Sequence, residues 1–136
     1  MLYSILIYDV ESIAENLDPP DHSRRLERHV ALQNDLREAK TLGPVARLDP
    51  TDGAVTLRPS RDGSLDPVDA LVTDGPFAET KEQLVGFYVV DCPSLDEAVA
   101  AARRLPLESG CLEVRPIRWF DPGALGSSPG SGSGPG

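Results

Sequence analysis

The run LVGFYVVD at 84–91 constrains the fold more than any other stretch of the chain. It is rich in β-branched and aromatic side chains and has almost no polar interruption, which suits a strand covered on both faces. A strand of that kind belongs at the middle of a sheet, with a neighbour on each side.

Other segments supply the neighbours. LYSILIY at 2–8 is a second near-continuous apolar run of β-favouring residues. Short strands are expected at 45–48, 54–58 and 70–73, separated by Asp-Pro-Thr-Asp-Gly at 49–53 and a polar, turn-rich stretch at 59–67. A closing strand is expected at 111–119, with Leu112 and Val114 on one face and Glu113 and Arg115 on the other.

Two helices complete the pattern. Asp18-Pro19-Pro20-Asp21 is a helix start, with Asp18 as N-cap and proline in the first turn. This helix should run to about Thr41, with Leu26, Leu32, Leu36 and Ala39 on one face, until Leu-Gly-Pro at 42–44 ends it. Ser94-Leu-Asp-Glu97 is a capping box, and Leu95, Ala98, Val99, Ala102 and Leu105 form the apolar stripe of the second helix. The order β-α-β(β)-β-α-β points to an α+β, ferredoxin-like sandwich, an antiparallel sheet with two helices on one face. The other sheet face also carries apolar side chains, with Ile117 and Trp119 among them. It needs a cover, and a second copy of the same sheet is the simplest one, so a homodimer through the open face is expected.

Composition narrows the function classes. With 136 residues the chain is one ordinary domain plus a tail, long enough for a core without disulfides. The last 16 residues contain six Gly, four Ser and three Pro, so the domain is expected at 1–120 and a flexible tail at 121–136. A formal charge of −9 disfavours direct nucleic-acid binding and anionic membranes. The apolar N-terminal run has no basic flank and is too short to span a bilayer, so a cytoplasmic protein with no membrane attachment is expected. Cys92 and Cys111 have no metal-ligand spacing and read as small buried thiols, with no metal and no cofactor implied.

Chemistry concentrates in two places. His29 falls between Leu26 and Leu36 on the apolar face of the first helix, so it should point at the sheet. His22 lies two turns earlier on nearly the same face. A histidine in an apolar wall is either a satisfied core residue or an acid–base group with a tunable pKa. The same helix carries Arg24, Arg25, Arg28, Arg37 and Lys40, which either hold an anionic ligand group or form ion pairs on a solvated face. The second place is Thr73-Asp-Gly-Pro-Phe-Ala-Glu-Thr-Lys-Glu-Gln83. Asp-Gly-Pro makes a tight turn with Phe77 as anchor, Thr80 with Gln83 suggests one capped helical turn, and Asp74, Glu79, Lys81 and Glu82 crowd charge into the loop. Such a loop holds a site carboxylate or merely sets the path into the central strand.

The run DGPFAETKEQLVGFYVVD at 74–91 resembles the signature of the DGPF, or YCII-related, family. LYSILIYD, His29 with Leu32 and Leu36, PSLDEAVAAA and LEVRPI at 112–117 agree with it, so the resemblance covers roughly 1–118. It implies a ferredoxin-like fold that pairs into a dimeric α+β barrel. It also implies an acid–base site in a cleft by the sheet, with His29 at the position of the family's first-helix histidine. Asp74 is the carboxylate expected beside it, and Arg25, Arg28, Phe77 and Lys81 are the expected ligand-binding residues. Three departures stand out: Lys40 where the family has Gly at the end of the first helix, a 59–69 loop longer than usual, and Val85 where the family has Gly before Gly-Phe-Tyr. The chain has no nucleophile motif, P-loop or dinucleotide fingerprint. The first expectation is therefore a small dimeric enzyme, or a ligand sensor with the same cleft, acting on a small anionic or carbonyl compound. Many family members are encoded beside extracytoplasmic-function sigma factors, which implies the rival expectation of a regulatory protein that contacts a sigma factor.

Overall fold

A computed structural model describes residues 1–126; the tail expected at 121–136 falls outside it from residue 127 onward. Strand β1 (Leu2–Asp9) leads through a four-residue helix α1 (Glu11–Ala14) into the long helix α2 (Pro19–Glu38). Strands β2 (Leu42–Arg47), β3 (Val55–Arg58), β4 (Leu71–Asp74) and β5 (Gln83–Asp91) follow, then helix α3 (Leu95–Ala102) and strand β6 (Cys111–Pro116).

The main sheet has the order β2-β5-β1-β6, and every neighbouring pair is antiparallel. The apolar runs at β5 and β1 take the two central places, as their composition requires. This is the ferredoxin-like plan, α+β with both long helices on one face. Pairing alternates the side chains. Ile5, Tyr88 and Val114 share the helix-facing side, whereas Leu6, Phe87 and Glu113 share the other. The core is built from Tyr3, Ile5, Leu32, Tyr88, Val90, Cys92, Ala98, Ala102 and Leu105, where α2 and α3 meet β1 and β5. The open face carries Leu6, Phe87 and a buried Val89 beside the ion-paired Glu113 and Arg115.

The strands expected at 54–58 and 70–73 form a separate two-stranded sheet, β3 with β4. Both strands of this arm are largely exposed, including Val55, Leu57 and Val72. The closing strand stops at Pro116 instead of reaching Trp119, because its partner β1 begins at Leu2, whose carbonyl accepts from the Ile117 N–H, and Trp119 is exposed. No helical turn forms at Thr80. Its hydroxyl donates to the Glu82 carbonyl, and the Gln83 amide folds back on the Thr80 carbonyl. No helix of the described residues is long and apolar enough to cross a membrane.

Helix α2 ends at Glu38, three residues short of Thr41. The Thr41 N–H reaches the Leu36 carbonyl at 2.8 Å and the Lys40 N–H reaches the Arg37 carbonyl at 3.0 Å. These two bonds are the Schellman closure, and they force Lys40 into the left-handed region at φ 60°. A Cβ is unfavourable there, which explains why glycine suits this position. Lys40→Gly is expected to raise stability by about 1 kcal/mol, read by thermal or urea unfolding.

Two glycines permit close strand approaches. A Cβ on Gly86 would lie 2.7 Å from the Ala46 carbonyl oxygen of β2. One on Gly110 would collide with the Tyr8 backbone of β1.

Candidate functional site

A cavity of about 550 Å³ lies between α2 and the helix-facing side of the sheet. Ile7, Val45, Tyr88 and Leu112 reach it from all four strands of the main sheet, and His22, Arg25, Leu26, His29 and Gln33 reach it from α2. The four-residue rhythm of the helix brings Arg25, His29 and Gln33 to one side.

His29 and Gln33 meet on one atom. The Tyr88 Oη lies 2.7 Å from His29 Nδ1 and accepts from Gln33 Nε2 at 2.9 Å. The two rings stack with centroids 5.8 Å apart and an interplanar angle of 25°. Tyr88 is 1% exposed and Gln33 7% exposed, so this polar chain is sealed at its inner end. Desolvation lowers the His29 pKa from 6.5 to about 4, helped by the positive charges of Arg25 and then Arg47. The imidazole is therefore neutral at pH 7. Burial also pushes the Tyr88 phenol up, against the opposing pull of the Gln33 hydrogen bond.

One turn before His29, Arg25 donates to Asp9 at 3.1 Å. Asp9 is the last residue of β1, just beyond the register shift at Ile7/Tyr8. It also accepts from the Val10 N–H and from the Ser109 hydroxyl. The Asp9 side chain is 7% exposed and that of Arg25 is 15% exposed, so this is a buried ion pair. The Arg25 Nε has no hydrogen-bond partner. At the rim, Arg47 pairs with Glu15, and Arg24 bridges to Glu108. The cavity lining holds Arg25 and Arg47 against Asp9, Glu15, Asp49 and Glu108, so it has no excess of positive charge.

Of the expected site residues, His29 and Arg25 share this cavity within one chain, and His22 lines it too. Asp74 does not join them. It ends β4 in the separate two-stranded sheet, opposite Val55, and the carboxylate beside Arg25 is Asp9. Arg28 and Lys81 are exposed and Phe77 strongly so, and none of the three lines the cavity. Phe77 contributes its carbonyl to Arg58. Asp9, Gln33 and Tyr88 are the partners that the sequence reading left out. Gln33 had a signal, a polar residue four positions after His29 and so on the same side of the helix. Asp9 had another, a lone charge closing the N-terminal apolar run. Tyr88 had none within an apolar strand.

The thiols divide. Cys92 is buried, as expected, but Cys111 is exposed, because it opens β6 at the cavity edge. Desolvation and the neighbouring Glu82 carboxylate push the Cys111 thiol up, away from thiolate character. Among the described residues no group of three or more His, Cys, Asp or Glu side chains is placed to hold a metal ion.

A family model of the YCII-related domain matches residues 1–121. The chain belongs to the YCII-related family. A relative in Rhizobium meliloti (strain 1021), described as an uncharacterized protein, is 46% identical over 130 residues, which cover 93% of this YCII-related chain and all of the relative. The match includes β1, α2 and β5, the elements that carry Asp9, Arg25, His29, Gln33 and Tyr88.

Proposed function

We propose that this YCII-related protein is a small, cofactor-independent acid–base enzyme whose working group is His29. One observation carries the reading: a neutral histidine in a cavity wall, tied on its inner nitrogen to a buried tyrosine, next to a buried Arg25–Asp9 pair. Buried polar chains of this kind are demanding to assemble and rigid once satisfied, which is what positioned proton transfer needs. Proton transfer, isomerisation or elimination on a small carbonyl compound fits the donors present. Asp9 takes the carboxylate role in this reading, acting through Arg25, and Asp74 does not contribute within the same chain.

The working unit in this reading is a homodimer. The half-apolar open face with Leu6, Phe87 and Val89, and the exposed arm of β3 and β4, support a second copy as cover. The exposed arm also supports a second reading, docking of a basic partner such as an extracytoplasmic-function sigma factor on a chain of charge −9.

The test is deuterium exchange in D2O, followed by NMR, at the carbon next to the carbonyl in a panel of small cyclic ketones and keto acids. Wild type should accelerate exchange for at least one compound. His29→Gln should lower that rate about 100-fold or more, while light scattering still gives the mass of two chains. Undiminished exchange in the variant would sink the assignment of His29. A panel with no response, together with retention of a sigma factor at low salt, would favour the regulatory reading.

A further inference from the structure

The hydrogen-bond chain behind His29 decides which ring nitrogen carries the proton. Gln33 donates an N–H to the Tyr88 oxygen, so that oxygen already holds one incoming hydrogen. Its own hydrogen needs an acceptor. Tyr88 is 1% exposed, so bulk water cannot serve, and His29 Nδ1 at 2.7 Å is the one acceptor in reach among the described residues. If His29 instead carried its proton on Nδ1, two donors would aim at the phenol oxygen and the phenolic hydrogen would be buried without a partner. That arrangement is disfavoured on the order of tenfold or more. The lone pair of Nδ1 is therefore used inward, and the proton sits on Nε2. No protein group among the described residues meets Nε2, and Nε2 is not a sealed, unpartnered atom. It faces the cavity that the ring lines.

From this geometry we infer that His29 meets its ligand as an N–H donor through Nε2, that Tyr88 is the residue that positions it so, and that the ligand is an uncharged compound with a carbonyl oxygen. This rests on the proposed role of His29 and adds its polarity. An Nε2–H donor binds and polarises a carbonyl oxygen. The charge inventory selects the same class. Arg25 is neutralised by Asp9, Arg47 is paired with Glu15 and Glu108 with Arg24, which leaves Asp49 as the lining carboxylate with no ion-pair partner among the described residues. A carboxylate ligand would meet that excess of negative charge, whereas a neutral ketone would not.

The test is long-range 1H–15N correlation of the imidazole nitrogens in the full-length protein at pH 7, with His29 assigned by His29→Gln. The expected spectrum has an acceptor-type Nδ1 and a proton-bearing Nε2. Tyr88→Phe keeps the ring and the packing but removes the hydroxyl, and should move both nitrogens toward the averaged shifts of two mixed tautomers. Its amide fingerprint reports whether the fold is intact, and the wild-type spectrum decides the tautomer in any case. A proton on Nδ1 in wild type, or an unchanged tautomer in a folded Tyr88→Phe, overturns the inference but leaves His29 available as a base. Titration of wild type with 2-cyclohexen-1-one should move the Nε2 signal, and benzoate should not. A response to benzoate alone overturns the carbonyl class only. A response to neither overturns the carbonyl class together with the ligand-binding reading beneath it.

Discussion

Asp9→Ala is expected to lower the free energy of unfolding by about 3–5 kcal/mol. Asp9 is the counter-charge of an arginine that is only 15% exposed. Removing the carboxylate leaves that charge buried without compensation. It also strips the acceptor from the Ser109 hydroxyl and the Val10 N–H. Arg25 already carries one unpartnered Nε–H, so it has no spare bonding to absorb the loss. The double variant Asp9→Ala/Arg25→Met should recover most of the stability, because an apolar replacement of both partners removes the stranded charge. Urea unfolding with linear extrapolation measures all three proteins. If the double variant is as unstable as Asp9→Ala, the aspartate acts through Ser109 and Val10 and not through Arg25.

The second large effect is on acid sensitivity. His29 titrates near 6.5 when unfolded and at about 4 when folded. Between those values the unfolded chain binds more protons, so protonation favours unfolding and stability falls as the pH falls. The contribution is fully present above pH 6.5 and has gone by about pH 4, a loss on the order of 3 kcal/mol. His29→Gln should lack this component. Its unfolding free energy should decline less steeply than that of wild type across this window, with both proteins sharing the carboxylate titrations at lower pH. Parallel curves for the two proteins from pH 7 to pH 4 would mean that His29 is not desolvated in solution.

How much of this was legible in the residues depended on range. Periodicity is a local signal, and it was enough for β1, β5, α2 and α3, including the Ser94 cap, whose hydroxyl accepts from the Glu97 N–H. It was also enough to put β5 at the middle of the main sheet, because an unbroken apolar run suits a strand covered on both faces. Contacts between distant segments were another matter. Asp9 and Arg25 are 16 residues apart, and His29 and Tyr88 are 59 apart, so no spacing rule joins them. Asp74, expected beside His29, ends β4 in the arm's own sheet and does not line the cavity within the chain. The Thr80 turn failed because Gln83, expected as a cap, is the first residue of β5 and its side chain is shared with the Glu11 N–H. Lys40 shows the converse. A residue that breaks the family's habit still occupies the left-handed closure, because the two hydrogen bonds after α2 demand that geometry regardless of side chain.

Gly86 and Gly110 both line the cavity, and each stands where a methyl group would strike the backbone of a neighbouring strand. Side-chain variation at these two positions is closed off by main-chain geometry, whatever the ligand. A library meant to retune ligand size should therefore leave both positions invariant and diversify Val45, Leu26 and Leu112, whose side chains face the same space. Relatives that bind different compounds are expected to differ at those three positions and to keep the two glycines.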